Sequence, residues 1–411
     1  MRPRIIALLA AVLVFVAAGA YIVSDYNADN RSAQAIAQVD QTQQSITAIS
    51  SVDSNSQAGT QTTLAGIAAG ESTLQPAQTA EQQAEEPSLR FIAVGDIMLG
   101  RGVGMRLQKY GSYDRAFENV SSVLKQGDVI FANLESPITD STHSLDPKRK
   151  IVLKAKPQAV SALTGAGFNL VSIANNHMMD YYETGLFDTM SILNANHILF
   201  AGGGKNIDEA RKPAIIEKNG LKIGLLAYSD MAELVFAGEP YLKYAADRNK
   251  SGISPRNYEA VREDVRKLRG QVDLLAVSLH WGVEDSFKVS DEQREFAHKL
   301  IDDGVDLILG HHPHQFQGIE IYKGKPVFYS MGNFLFDQNE PENMESFIID
   351  MKYKGTELTE LSAIPVRILD KSFVEIQSGA NAANIIARQT ELCRELETPP
   401  EIVNDRLVFH K

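Results

Sequence analysis

Five short apolar runs in this chain each end in a residue that can bind a metal ion or take part in catalysis. The first run is Phe91–Gly95, which is followed directly by Asp96. The pattern recurs four times, and the far ends carry Glu135, Asn176, His280 and the group His311, His312 and His314. Apolar runs of this length that stop abruptly are typical of buried strands. Because ligands bind outside the carboxyl ends of strands in open α/β sheets, we expect these side chains to meet at one site.

Strands alternate with helices early in the chain, and hairpins dominate later. The early strands are predicted at 90–95, 128–133, 168–174 and 198–201, and the helices at 114–125, 157–166, 184–196, 255–269, 290–303 and 379–395. Hairpins are predicted at Lys218-Asn219-Gly220 and at Tyr322–Lys325. The mixture predicts an α/β (α+β) fold in which mixed sheets are flanked by helices.

The first 23 residues carry the apolar run Ile5–Val23 behind Arg2 and Arg4. A helix of this length rises ~28 Å, which is close to the thickness of a bilayer's hydrocarbon core. Because basic residues stay on the cytoplasmic side, we expect a single-pass transmembrane anchor with the rest of the chain outside. A cleaved signal peptide is the alternative interpretation, since Ala18-Gly19-Ala20 suits a signal peptidase.

The remaining segments differ in composition. Residues 24–88 are rich in Gln, Ala, Ser and Thr, which predicts a disordered linker, because such a segment buries too little apolar surface to offset its ordering. Residues 89–370 are predicted to form the main domain, and residues 371–411 a C-terminal helix and tail.

Charge and cysteine content exclude some classes of protein. A formal net charge of −12 argues against a general nucleic-acid binder, which normally presents a basic face. The single cysteine, Cys393, cannot form an internal disulfide and excludes cysteine-rich metal sites.

The residues at the strand ends favour a divalent metal of the Mn, Fe or Zn type, because they combine carboxylate, amide and imidazole ligands. Taken alone, several have an ordinary structural interpretation. Asp96 would cap a turn, and His280 beside Trp281 would pack in the interior. The segment His311–His314 is different, because three imidazoles among four residues after an apolar run are hard to explain as structure.

Together the motifs resemble the calcineurin-like metallophosphoesterase superfamily and, within it, the CapA family, which is associated with bacterial poly-γ-glutamate production and export. The resemblance rests on Gly95–Arg101, Ala132–Glu135, Ala174–Asp180, Leu279–Glu284, Gly310–His314 and Ser330–Phe334. It spans roughly residues 89–370 and implies a four-layer sandwich of two mixed β-sheets flanked by helices.

The resemblance also implies two metal positions. Asp96 and His314 would hold the first metal, Glu135 would bridge, and the second metal would take Asn176, His280 and His312. His311 is the alternative to His312.

Two residues depart from the superfamily pattern. Met98 stands where a histidine ligand is usual, and Glu135 replaces the bridging aspartate. We therefore expect one firm metal site and a possible weaker second one.

Three further residues receive catalytic roles from the resemblance. His177 would act as an acid or electrostatic helper beside the reacting group. Asp180 would orient its ring, and Arg101 would pair with a carboxylate or phosphate in the site. Glu284 is expected to be a ligand, a partner of an imidazole or simply solvated, and Asn333 to meet substrate or cap a turn.

The function implied by the resemblance is that of a metal-dependent hydrolase or transferase, anchored in the bacterial cell membrane with its main domain extracytoplasmic. It would serve poly-γ-glutamate or a related anionic envelope polymer, with other capsule synthesis membrane proteins as partners. Two alternatives stay open, a non-enzymatic scaffold of a synthesis and export complex, and a phosphodiesterase or nucleotidase acting on small phosphate esters.

Overall fold

The computed structural model describes residues 86–145, 151–236 and 239–410. The predicted transmembrane segment, 1–23, and nearly all of the predicted linker, 24–88, lie outside the described residues. Within these three ranges, no helix is both long enough and apolar enough to cross a bilayer.

The strands carry most of the architecture. In chain order they are β1 Ser88–Ile97, β2 Val129–Leu134, β3 Leu170–Ser172, β4 Leu199–Ala201, β5 Gly203–Gly204, β6 Ala214–Lys218, β7 Leu221–Ser229, β8 Val235–Phe236, β9 Glu239–Lys243, β10 Gly252–Ile253, β11 Leu274–His280, β12 Leu307–His311, β13 Ile319–Tyr322, β14 Lys325–Phe328, β15 Asn333–Leu335, β16 Glu345–Lys354, β17 Glu357–Leu369, β18 Phe373–Ile376, β19 Glu401–Val403 and β20 Arg406–Phe409.

The helices lie mainly between strands. They are α1 Arg101–Lys109, α2 Ser121–Leu124, α3 Val160–Ala166, α4 Tyr182–Ala195, α5 Ile207–Ala210, α6 Tyr258–Arg269, α7 Asp291–Asp302 and α8 Gly379–Glu395. Short 3₁₀ turns cover Tyr113–Phe117, Pro157–Ala159, Asp230–Glu233 and Pro341–Met344.

Two larger mixed sheets organise these elements. The first runs β19-β20-β17-β16-β1-β2-β3-β4, with β15 paired to β1 and β18 to β17. Its strands β1 to β4 are parallel, and β16, β17 and β20 are antiparallel. The second runs β13-β14-β12-β11-β7-β6, with parallel strands in its centre and an antiparallel strand at each edge. Both predicted hairpins, β6–β7 and β13–β14, are confirmed.

Three apolar clusters hold the layers together. One cluster contains side chains of both sheets, such as Phe131, Leu225 and Leu309, so the sheets pack face to face. A second joins the first sheet to α1 and α3, and a third joins the second sheet to α6 and α7 around Trp281. The prediction of a mixed α/β fold with several sheets is confirmed.

The register of the central strands brings the strand ends together. Asp96 in β1 pairs with Asn133 in β2 on one side and with Asn333 in β15 on the other. His280 in β11 pairs with His311 in β12. Backbone also approaches closely beside Asp96, because a Cβ atom at Gly95 would lie 1.9 Å from the carbonyl oxygen of Gly332. Only glycine fits there without a shift of the backbone.

Two predictions of local structure were wrong, and one helix was not predicted. The helix expected at 114–125 is a 3₁₀ turn followed by the short helix α2. Helix α1 was not predicted, although it begins five residues after Asp96. The expected C-terminal tail forms the hairpin β19–β20, and β20 pairs with β17 in the first sheet.

Candidate metal centre

Three of the predicted ligands form a compact buried group. Asp96, Glu135 and His280 offer ligand atoms that all lie within 4.8 Å of one another. Each side chain is almost completely buried, with His280 the most exposed at 1%. They come from different strands, since Asp96 lies near the end of β1, Glu135 follows β2, and His280 ends β11. The parallel strands of both sheets therefore deliver these residues to one place, as the sequence predicts.

Glu135 gives the clearest sign of an expected cation. Neither of its carboxylate oxygens accepts a hydrogen bond from the residues that the structure describes, and both are buried. A carboxylate in the interior without a donor is costly unless a charge or a metal compensates it. The residues present therefore fit a bound divalent cation.

His280 is the point on which two further predicted ligands converge. Its Nε2 atom lies 3.0 Å from Asn176 Oδ1 and 3.1 Å from His312 Nδ1. The same nitrogen lies 3.8 Å from Glu135 Oε1. Two atoms bound to one ion at ~2.1 Å are separated by ~3.0–3.4 Å when their bonds meet at 90–110°. The Asn176 and His312 distances fall within this range, and the Glu135 distance lies slightly beyond it.

Asp96 is held by several protein donors. Its Oδ1 atom accepts a hydrogen bond from Asn133 Nδ2 at 2.9 Å and lies 2.8 Å from His311 Nδ1. Its Oδ2 atom accepts from the backbone N–H of His312 at 3.3 Å. Asp96 thus faces Glu135 and His280 with its orientation fixed by three separate groups.

His314, the remaining predicted ligand of the first metal position, is engaged elsewhere, and so is Met98, which was not predicted to be a ligand. His314 does not join the group of Asp96, Glu135 and His280, and its Nδ1 lies 2.9 Å from Asn333 Oδ1. Met98 is fully buried, and its sulfur accepts a hydrogen bond from the N–H of Gly100. The geometry therefore supports the second predicted position more strongly than the first.

The backbone after β12 directs the imidazoles of His311 and His312 toward different partners. The backbone of His312 has φ +98° and that of His314 has φ +61°, and both values lie in the left-handed region. Side chains other than glycine adopt this region at a cost, and such residues concentrate at functional sites. The bend places His311 against Asp96 and His312 against His280.

Burial controls the protonation of the group. Burial, reinforced by the Asp96 carboxylate, raises the pKa of Glu135 well above its usual range. Burial lowers the pKa of His280 well below its usual value, and lowers that of His312 to about 3. Burial would also raise the pKa of Asp96, but the nearby His311 imidazole outweighs it and the pKa is lowered. The two imidazoles are therefore neutral, which is the form that binds metals.

His177 and Asp180 form the predicted pair beside this group. His177 Nδ1 lies 2.7 Å from Asp180 Oδ2, and both side chains are buried. The same Asp180 oxygen accepts a hydrogen bond from the backbone N–H of Leu153 at 2.6 Å, which fixes the carboxylate in its position beside the ring. His177 directly follows Asn176, which places the pair next to His280.

Arg101 pairs with a carboxylate outside the buried group. Its guanidinium lies 3.0 Å from Asp337, whose other oxygen accepts the N–H of Gly102 at 2.9 Å. The Arg101 side chain is 39% exposed, so part of it faces solvent. Its catalytic role stays a prediction. Glu284 is exposed, as in the solvated interpretation.

Sequence reasoning missed two asparagines. Asn133 donates to Asp96, and Asn175 donates to Asn133 Oδ1 at 3.1 Å. Both side chains are fully buried. A polar residue within an apolar strand, as in Phe131-Ala132-Asn133-Leu134, was the available signal for the first of them.

The comparisons with known proteins agree with the motifs. Residues 90–338 match the family described as bacterial capsule synthesis protein PGA_cap. The chain belongs to this family. The capsule biosynthesis protein CapA of Bacillus anthracis is 30% identical over 75% of this chain and 74% of its own length. The PGA biosynthesis protein CapA of Bacillus subtilis strain 168 is 29% identical over 77% of this chain and 80% of its own.

The 5'-nucleotidase of Candida albicans SC5314 is 9% identical, with a TM-score of 0.37, over 76% of this chain and 59% of that one.

Proposed function

We propose that this member of the PGA_cap family is a metal-dependent hydrolase or transferase that serves the biosynthesis or export of an anionic capsule polymer such as poly-γ-glutamate. The observation that carries the metal-dependent part is the buried Glu135 carboxylate beside His280. Its two oxygens accept no hydrogen bond from the described part of the chain. The polymer is supported by family membership and by the relatives named for capsule and PGA biosynthesis.

The side chains that would hold the ion are Glu135, Asn176, His280 and His312, with Asp96 beside them. A bound divalent ion would polarise a carbonyl or phosphoryl oxygen of the substrate. A possible second, weaker position near His314 would share Asp96, which already carries three protein donors.

His177 is the residue proposed to move a proton. Asp180 binds Nδ1 of its ring, which leaves Nε2 to face a reacting group as acid or electrostatic helper. Asp180 is itself fixed by the Leu153 N–H, so the ring orientation is set before substrate arrives.

Arg101, held by Asp337, is proposed to contact a carboxylate or phosphate of the substrate. With a net charge of −12, the chain has to attract a polyanion through such local cations.

The location is proposed from the sequence of the first 88 residues. The apolar run Ile5–Val23 would anchor the chain in the bacterial cell membrane, and residues 24–88 would act as a linker to an extracytoplasmic domain. Other membrane proteins of capsule synthesis are the proposed partners.

We also propose that the two packed sheets with their outer helices are the four-layer sandwich of the metallophosphoesterase superfamily.

A scaffold function is the second candidate. Met98 occupies the position of a usual ligand, and its buried sulfur is used internally. This favours a pocket that holds the end of a polymer chain without cleaving it.

Metal content and two substrates test the proposal. The full chain is purified, and bound metals are counted in the wild type and in the Glu135→Ala, His280→Ala and His410→Ala variants. His410 is 69% exposed and serves as the control histidine. We expect lower occupancy in the first two variants, wild-type occupancy in the third, and metal-dependent cleavage or transfer of γ-glutamyl bonds. Turnover of a generic phosphodiester instead would favour a phosphodiesterase, and a metal-free wild type would favour the scaffold.

A further inference from the structure

His311 has no role in the proposed function, although it lies at the centre of the site. It is the last residue of β12, and its side chain is completely buried. It pairs with His280 across β11 and β12, and its carbonyl oxygen accepts the N–H of Trp281 at 3.0 Å. Its backbone is therefore fixed at the same sheet edge that delivers the metal ligands.

One ring nitrogen of His311 is committed to Asp96. Its Nδ1 atom lies 2.8 Å from Asp96 Oδ1, which also accepts Asn133 Nδ2 at 2.9 Å. An ionised carboxylate only accepts hydrogen bonds, so Nδ1 carries the hydrogen and donates. Asp96 Oδ2 receives only the longer 3.3 Å contact from the His312 backbone. The arrangement fixes Oδ1 and leaves Oδ2 as the oxygen with more freedom to meet a cation.

The other ring nitrogen points away from Asp96, because the two nitrogens of an imidazole ring point in divergent directions and Nδ1 points at the carboxylate. Among residues 86–145, 151–236 and 239–410, His311 Nε2 is buried without a hydrogen-bond partner. The ring lies 5.7 Å from that of Phe131, which belongs to the apolar cluster between the sheets. A nitrogen in these surroundings is poorly placed to bind the ion that Glu135 and His280 would hold.

We propose that His311 is a positioning residue, which holds the Asp96 carboxylate against the metal centre through Nδ1, and that it is not a metal ligand. This inference rests on the proposed metal centre. The two adjacent imidazoles then have different roles. His312 lies against His280 as a proposed ligand, whereas His311 acts only through Asp96.

The expected effect is a loss of metal affinity without loss of a ligand. Residues that hydrogen-bond to metal-binding side chains change metal affinity by ~10–100-fold when they are removed. His311→Leu should therefore weaken Mn²⁺ binding by ~10–100-fold while one ion per chain still binds at saturation.

A pair of amide variants separates positioning from ligation. The amide nitrogen of Asn reaches about as far from the backbone as Nδ1, and that of Gln about as far as Nε2. We expect His311→Asn to keep the dissociation constant for Mn²⁺ close to that of the wild type, and His311→Gln to behave like His311→Leu. Calorimetric titration of the full chain measures both, and thermal unfolding of the metal-free variants checks that they fold. The reverse order, with Gln retained and Asn lost, would overturn the proposal.

A second measurement needs no variant. In wild-type chain labelled with ¹⁵N-histidine, the ring nitrogens of His280 and His312 should shift when Zn²⁺ is added. Those of His311 should keep the pattern of a ring protonated on Nδ1 in both states. A Zn²⁺-induced change at His311 Nε2 equal to that at His280 would refute the positioning role. If no histidine responds and no metal binds, the proposed metal centre itself fails, which is a separate outcome.

Discussion

Replacement of Glu135 by Gln is expected to remove the stabilisation that a divalent ion gives to the folded chain. Gln keeps the size of the side chain but loses the charge, at a position where neither carboxylate oxygen has a donor among the described residues. An ion that binds only the folded state adds RT ln(1 + [L]/Kd) to the free energy of unfolding, which is ~2.7 kcal/mol at 100 times Kd and ~4.1 kcal/mol at 1,000 times Kd.

The size of the domain converts these energies into a shift in Tm. The described ranges between residues 86 and 410 contain roughly 320 residues, and an unfolding entropy of ~2.1 cal/mol/K per residue gives ~0.7 kcal/mol/K. The two ion concentrations should therefore raise the Tm of the wild type by ~4 °C and ~6 °C.

The assay is thermal unfolding of chelator-treated protein at increasing Mn²⁺, with Kd measured separately by titration. For Glu135→Gln we expect a shift below ~1 °C at the same ion concentrations. The Tm of the metal-free variant should be no lower than that of the metal-free wild type, because burial and Asp96 disfavour the charged form of Glu135. A loss of response would then reflect lost ion binding and not a damaged fold.

Glu360→Gln is the matched control. This carboxylate lies in β17, its side chain is 65% exposed, and it pairs with Lys352. It should keep the full rise in Tm. The reasoning is refuted if Glu135→Gln retains the ~4–6 °C shift, or if both variants lose it equally.

Three further predictions concern other groups. Asp180→Asn should lower turnover by ~10²-fold or more while metal content is unchanged, because His177 loses its anionic partner; metal analysis beside the polymer assay measures both. Burial raises the pKa of Asp230 to about 6, so the folded state binds the extra proton between about pH 4 and 6, and this contribution to stability is lost as pH rises through that window. Asp230→Asn should therefore gain stability relative to wild type from pH 4 to pH 7, by at most ~3 kcal/mol, in urea unfolding at each pH. Burial also raises the pKa of the Cys393 thiol to about 12, so it should react with a disulfide reagent at pH 8 only after denaturation; rapid reaction of folded protein would contradict its buried position.

The strand ends were predictable because each combines an apolar run with an abrupt polar stop. Phe91–Gly95 and the residues before His280 form β1 and β11, and their parallel neighbours end at the same edge. The convergence of Asp96, Glu135 and His280 follows from that topology. Sequence spacing could predict the meeting of these residues because parallel strands align their carboxyl ends.

Local helices were predicted less well, for identifiable reasons. Helix α1 contains Gly102 and Gly104 within nine residues, which weakens any helical pattern, yet both are buried where α1 packs. The predicted helix 114–125 is interrupted, and Ser112 caps a 3₁₀ turn at its start. For β19–β20 the sequence did contain a signal, since Asn404 and Asp405 are residue types that tolerate the positive φ that both adopt in this tight hairpin turn.

The choice between His311 and His312 could not be made from sequence. Both follow the same apolar strand, and only the left-handed backbone of His312 turns the two rings toward different partners. Likewise, the Arg101–Asp337 ion pair joins residues far apart in the chain, and no periodic pattern connects them.

The most direct test of the metal centre is anomalous diffraction from crystals of the full chain grown with Mn²⁺. We expect an anomalous peak within bonding distance of Glu135, Asn176, His280 and His312, with His311 beyond bonding distance. A difference map without a peak among these side chains at saturating Mn²⁺, or ions bound only elsewhere on the molecule, would contradict a metal centre built from these strand ends.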